Sequence, residues 1–225
     1  MDDRPLAVGV DGRELQGRPT GTGRYLRNLL QRWRETGDRL VVYFDGPPPE
    51  DPVLEHPAIT RRAVGPGGGR GVAWLERQLP RAASTDALDA FFSPAYTCPL
   101  SLQVPRVTAV HDLSFYSLPQ DFAPREAFRR HLLTGLSIRA SRVVLACSEF
   151  SRREIAQRFP SAADRVVHVP LGPDDDLPPA TGIRCEEHGL GSVGAHERPF
   201  RRGRHELQHL PVVSQVKRDR ADVLR

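Results

Sequence analysis

Along the first 170 residues, short apolar runs alternate with stretches in which apolar residues recur every three or four positions. The runs LAVGVD (6–11), RLVVYF (39–44), LDAFFS (88–93), RVTAVHDL (106–113), RVVLACS (142–148) and RVVHVPLG (165–172) are of strand length and apolar on both faces. Strands of that kind belong to a parallel sheet whose crossovers cover both sides. The text between them supplies helices. Thr22 is placed to cap one whose residues Tyr25, Leu26, Leu29, Leu30 and Trp33 share a face, with Gly37 as its stop. VAWLERQL predicts a short helix before Pro80, and Pro124 opens a longer one to about Ala140. Ser151 and Glu154 form a capping box for REIAQRF. Residues 45–71, with PPP and GPGGGRG, predict a long loop. The expected fold is α/β: a doubly wound, mostly parallel, Rossmann-like sheet over residues 1–180, followed by an irregular tail at 181–225 that keeps neither period.

Composition narrows the class. The chain has 225 residues, 39% hydrophobic and 27% charged, enough to bury a core and unlike a disordered protein. No run of eighteen apolar residues occurs, and MDDRPLAVGV lacks the basic-then-apolar order of a secretory leader, so the expectation is a cytoplasmic protein. Three scattered cysteines, Cys98, Cys147 and Cys185, fit a reducing compartment. The net charge of +4 invites a nucleic-acid reading, but the tail holds nine basic against six acidic residues and carries most of it. A uniform basic footprint is missing, and nucleic acid is not an expected partner.

Candidate chemistry gathers where the strands end. GRPTGTGRY (17–25) fits neither a P-loop nor a G-x-G-x-x-G fingerprint, because Lys and Ser/Thr are missing from the first and Leu26 stands in the last glycine position of the second. Gly21, Thr22 and Gly23 still open a helix, where free N–H groups and the dipole favour an anion. The plain alternative is a tight turn without a ligand. His111 ends a strand and either serves packing or hydrogen-bonds a hydroxyl and stabilises developing charge, with Asp112 as its orienting partner or as the cap of the next turn. Ser148 and Ser151 either cap a helix or bind an anion at its start. Tyr96 either lines the same cleft or serves loop packing, and Arg24 completes the set as a cleft residue.

Two further segments raise other chemistry. In PREAFRRHLLTGLSIRASR (124–142), Phe128, Leu132, Leu133 and Leu136 form one face beside Arg125, Arg129, Arg130 and Arg139. The simpler reading turns that face into the core; the sharper one docks it on an anionic membrane. HELQH (205–209) matches the H-E-x-x-H zinc template, with His205 and His209 as ligands and Glu206 as base, but Pro211 follows at once and the residues left supply no clear third ligand. No metal site is expected.

The blocks DGRELQGRPTGTGRY, DAFFSPAY, VTAVHDLSFY, ACSEFSRREIAQRF and RVVHVPLG, in this order, resemble the N-terminal domain of glycosyltransferase family 4, whose members have the GT-B fold. The resemblance spans residues 5–180 and implies retaining transfer of a sugar from a nucleotide-diphosphate donor, as substrate rather than resident cofactor, to a sugar or lipid-linked acceptor. It implies that Gly21 and Gly23 lie against the donor diphosphate and that His111 contacts the transferred sugar; the expected site adds Thr22 on the phosphate side, Asp112 beside His111 in the chemistry, and Arg24, Tyr96, Ser148 and Ser151 along the acceptor cleft. The family holds the donor mainly on a second domain with two glutamates eight positions apart. No tail glutamate has such a partner, so the donor half is expected to be missing or carried on a separate chain. Loss of pattern into Arg-, Gly- and His-rich text is also what a frame change in GC-rich coding sequence produces. Little or no turnover by the chain alone is expected.

Overall fold

The structure, a computed structural model, describes residues 4–68, 71–117 and 123–171. The tail and its HELQH segment lie outside the described residues. Seven strands form one sheet in the order β3-β2-β1-β4-β5-β6-β7: β1 Ala7–Asp11, β2 Arg39–Asp45, β3 Ile59–Val64, β4 Ala90–Ser93, β5 Arg106–Val110, β6 Val143–Ala146 and β7 Val166–His168. All six pairings are parallel. The helices are α1 Gly21–Trp33, α2 Leu79–Ala83, α3 Ser114–Ser117, α4 Pro124–Ala140 and α5 Glu149–Arg158.

Alternation along each strand divides the core. Val42 and Phe44 pack with Leu26, Leu30 and Trp33 of α1, whereas Val41 and Tyr43 pack with Trp74, Leu75 and Leu79. Farther along the sheet, Val110, Val144 and Ala146 pack with Phe115, Ile138, Ile155 and Phe159. Strands apolar on both faces are therefore covered on both faces, as the sequence pattern predicts. Buried Asp38 ties the layers together: one oxygen accepts from Leu6 N at 2.9 Å and the other from Trp33 Nε1 at 3.1 Å.

Several local expectations are corrected. The cap of α1 is Thr20, whose Oγ1 accepts from Gly23 N at 2.9 Å; Thr22 lies inside the helix. Residues 45–71 are not one loop, because they hold a 3-10 turn, Pro52–Glu55, and the edge strand β3. Only Ile59 and Val64 of that strand are buried, while Arg61 and Arg62 face outward, so it lacks the apolar signature of its neighbours. The helix predicted to stop before Pro80 continues through it, by way of a π-helical turn at Trp74–Gln78. Pro80 cannot donate to the Glu76 carbonyl, and Ser101 Oγ takes that place at 2.8 Å. The last predicted helix begins earlier, with Ser148 as cap and Ser151 N donating to its Oγ at 3.1 Å. Finally, α4 buries Ala127, Thr134, Gly135, Ser137 and Ile138, and leaves Phe128, Leu132 and Leu136 exposed. The core-facing reading of that apolar face is overturned.

Candidate functional site

With every strand parallel, all carboxyl ends lie on one edge, and the strand order reverses between β1 and β4. A crevice opens outside such a reversal. The loops after β1, β4 and β5 meet there. His111 directly follows β5, with its Nε2 2.9 Å from the Pro94 carbonyl oxygen of the β4 loop. A carbonyl only accepts, so Nε2 carries the proton, and in the neutral ring Nδ1 holds the lone pair. Tyr25 of α1 meets the imidazole edge-on at 5.2 Å between centroids, and Tyr96 does so at 5.9 Å. The His111 carbonyl accepts from Ser151 Oγ at 2.9 Å and from Cys147 Sγ at 3.1 Å. Loop, helix and strand thus hold this residue from several sides.

Tyr25 lies one turn after Gly21, so the histidine and the glycine-bearing end of α1 share a rim. Of the donors at that helix end, Gly23 N is taken by Thr20 and Arg24 N by the Thr20 carbonyl. The N–H groups of Gly21 and Thr22 have no intrahelical acceptor. A Cβ at Gly21 would meet nothing, whereas one at Gly23 would strike the Glu14 carbonyl oxygen. Gly21 is open to the outside; Gly23 serves packing. The first turn of α1 carries no acidic residue, and Arg24 is exposed beside it.

The start of α5 differs. Glu149 occupies its first turn, and charge-assisted donors from Arg152 and Arg153 hold the Glu149 carboxyl down at a pKa of about 2. That anion already complements the dipole. Ser148 Oγ donates to Ser151 Oγ at 3.0 Å, and the buried Ser151 hydroxyl in turn donates to the His111 carbonyl. Both hydroxyls are engaged within the fold.

Among the described residues, Asp112 makes no hydrogen bond to the imidazole of His111. Its Oδ1 accepts from Ser114 N at 2.9 Å, capping α3, and its Oδ2 accepts from the Tyr96 hydroxyl at 2.8 Å. Burial works to raise the carboxyl, but the Ser114 and Tyr96 donors outweigh it and hold its pKa below the ordinary value. Burial and the neighbouring carboxylate push the Tyr96 phenol upward, and burial does the same to Tyr25. Both phenols are protonated at neutral pH. Tyr96 sits at φ 55, a left-handed conformation that costs energy for a bulky residue.

Sequence reasoning missed Tyr25 as a wall of this site, having placed it on the apolar face of α1, and it missed the Pro94 carbonyl. It also missed three buried polar side chains that close β1, β2 and β4 at the same edge: Asp11, Asp45 and Ser93. Asp11 takes Arg13 in a two-pronged pair, with Nη2 at 2.6 Å and Nε at 3.0 Å, and that guanidinium lies 4.7 Å over the Trp74 ring. Among the described residues, buried Asp45 Oδ2 and Ser93 Oγ have no hydrogen-bond partner, a costly state for polar atoms. A polar residue ending an apolar run was the available signal. Among the described residues, no group of three or more His, Cys, Asp or Glu could hold a metal, and no helix is long and apolar enough to cross a membrane.

The family model for Glycosyltransferase Family 4 matches residues 19–177. The O-antigen chain mannosyltransferase B of Escherichia coli is 26% identical over 185 residues, covering 74% of this chain and 47% of that protein. The chain therefore spans about half the length of this curated relative. Among solved structures, Anabaena HepE, crystallised with UDP and glucose, is similar at a TM-score of 0.51 and 19% identity, over 76% of this chain and 45% of its own. Sucrose-phosphate synthase from Thermosynechococcus elongatus is similar at a TM-score of 0.55 and 13% identity, over 76% and 49%. These two show a shared fold.

Proposed function

Because the chain belongs to glycosyltransferase family 4, we propose that residues 4–171 are the acceptor-side half of a retaining glycosyltransferase that moves a sugar from a nucleotide-diphosphate donor to a sugar or lipid-linked acceptor. One observation carries this reading: the Tyr25–His111 contact joins a histidine whose Nε2 is held by Pro94, leaving Nδ1 as acceptor, to a helix end whose first two N–H groups have no intrahelical acceptor. During transfer the bond between the anomeric carbon and the phosphate oxygen breaks, a bond from that carbon to the acceptor oxygen forms, and the acceptor proton leaves with the diphosphate. Negative charge builds on the diphosphate. Gly21 and Thr22 N–H groups, aligned before the reaction at the positive end of α1, meet it without reorganisation. His111 Nδ1 accepts from a hydroxyl of the transferred sugar and fixes its orientation. Asp112 acts through Tyr96 as a positioning residue, and Ser151 positions the histidine backbone. Arg24, Ser148 and the Tyr96 ring border the acceptor side. That HepE has been crystallised with UDP-glucose supports the donor class.

The second wall of the cleft comes from a donor-binding domain outside these 225 residues. The protein works in the cytoplasm, on an acceptor presented at the membrane surface. A non-catalytic acceptor-binding module is the second reading, favoured by the half-length match to mannosyltransferase B. Release of nucleoside diphosphate from a panel of nucleotide-diphosphate sugars, UDP-glucose first, separates them. The chain alone is expected to give little or no release, and addition of the remaining half of the related mannosyltransferase to restore it. His111→Ala should lower the restored rate about a hundredfold. Turnover by the chain alone would refute the half-cleft, and an unchanged rate in His111→Ala would remove the histidine from the chemistry. Failure of restoration would favour the module.

A further inference from the structure

The chain has four tyrosines, and three of them use their hydroxyl protons inside the fold. Tyr43 donates to Asp86 at 2.7 Å, Tyr96 to Asp112 at 2.8 Å and Tyr116 to the His131 carbonyl at 2.7 Å. The Tyr25 hydroxyl has no hydrogen-bond partner among the described residues. Its ring is held all the same, against the core cluster of α1 and edge-on to His111. Phenylalanine would supply both contacts, so packing accounts for the ring and leaves the hydroxyl unexplained. Nor is that hydroxyl sealed in the interior. Among the described residues, the side-chain atoms both sealed and unpartnered belong to Asp45 and Ser93, whereas Tyr25 is half-buried and its hydroxyl opens on the crevice beside His111. The phenol stays protonated at neutral pH, pushed upward by burial and further by Cys147, whose thiol already donates to the His111 carbonyl at 3.1 Å.

A half-buried hydroxyl that the fold leaves unpaired is a donor available to a ligand. His111 is its complement: with Nε2 donating to Pro94, Nδ1 of the neutral ring only accepts. A phosphate offers acceptors alone, whereas a sugar carries donors and acceptors on neighbouring carbons, so an accepting nitrogen beside a donating phenol matches a sugar ring. We propose that Tyr25 is a specificity-determining residue, whose hydroxyl donates to a hydroxyl oxygen of the same sugar that His111 orients. This inference rests on the sugar-transfer reading and adds to it a demand for one particular hydroxyl. A site built to hydrogen-bond a hydroxyl rejects the analogue that lacks it far more strongly than an apolar pocket rejects an added group.

Tyr25→Phe tests it in two ways. The full chain carrying the substitution is expected to melt at or slightly above the temperature of the parent, because the hydroxyl removed has no partner in the fold. A clear drop in melting temperature would reveal a structural partner and overturn the proposal. The second measurement uses the full chain supplemented with the remaining half of the related mannosyltransferase. Its substrates are UDP-glucose, or whichever sugar of the panel turns over, and the set of its monodeoxy analogues. Tyr25→Phe should lower kcat/KM about tenfold for the parent sugar and leave it unchanged for one analogue, the one lacking the hydroxyl that Tyr25 meets. An equal loss on the parent and every analogue would assign the residue to packing, and no loss on the parent would remove it from recognition; either result overturns the proposal. In both cases the unsubstituted protein still turns over and His111→Ala still impairs it, so the sugar-transfer reading survives. Absence of turnover by the unsubstituted protein on every sugar would instead remove that reading, and this inference with it.

Discussion

A single residue, Asp86, in the loop before β4, ties together two strands of the sheet, β2 and β3. Its oxygens accept from Arg62 at 2.6 Å and from the Tyr43 hydroxyl at 2.7 Å, while its main-chain carbonyl accepts from Arg39 at 2.6 Å. Burial pushes its pKa up, but the Arg62 and Tyr43 donors win and hold it below the ordinary value. A depressed folded pKa stabilises above the unfolded value of about 3.9, and that stability disappears as pH falls through the folded pKa. Arg62 is half exposed, so solvent discounts the pair. Asp86→Asn is expected to cost about 1–2 kcal/mol at pH 7 and much less near pH 3, measured by urea unfolding. An equal cost at both values would assign the effect to packing rather than charge. At this scale, titratable side chains were legible and carbonyls were not. His111 and Asp112 stand out as letters, but Pro94 contributes a main-chain oxygen that any residue could offer, and only the fold brings it to the imidazole.

At the scale of elements, α1 sets two glycines in opposite roles. Glycine ordinarily costs a helix about 1 kcal/mol relative to alanine. Gly21→Ala meets open space and is expected to keep or slightly raise the melting temperature, and any loss it causes in donor handling would then belong to the site. Gly23→Ala drives a methyl into the Glu14 carbonyl, and overpacking of about 1–3 kcal/mol exceeds the propensity gain. Melting of the two variants checks this; equal shifts would mean that the turn before α1 yields freely. Helix α4 explains a different failure. Its inward face is built from small residues, and Gly135 lets Tyr116 approach to 3.3 Å of where a Cβ would stand. Spacing identified the apolar stripe, but hydrophobicity could not say which way it pointed, because close packing here uses small side chains. Edge strand β3 escaped for the same kind of reason: with two buried apolar ends and two arginines between them, it carries no two-faced apolar run.

Across the whole molecule, the central strands and the parallel, doubly wound plan were legible because burial on both faces writes itself into sequence. Strand order and the reversal between β1 and β4 were not, since they depend on which neighbours pair. The same order leaves two margins. One is β3, with Arg61 and Arg62 side by side; the other is β7, only three residues long. Replacing Arg61 with Val is expected to leave the fold intact but introduce association that grows with concentration, visible in light scattering. A variant that stays monodisperse would show that this arginine is not the guard. In the crowded interior of a cell, such margins decide whether a sheet remains a finished object or becomes the template for a ribbon of copies. Charge on one side and brevity on the other deny an incoming chain the long, flat, neutral rail it would need.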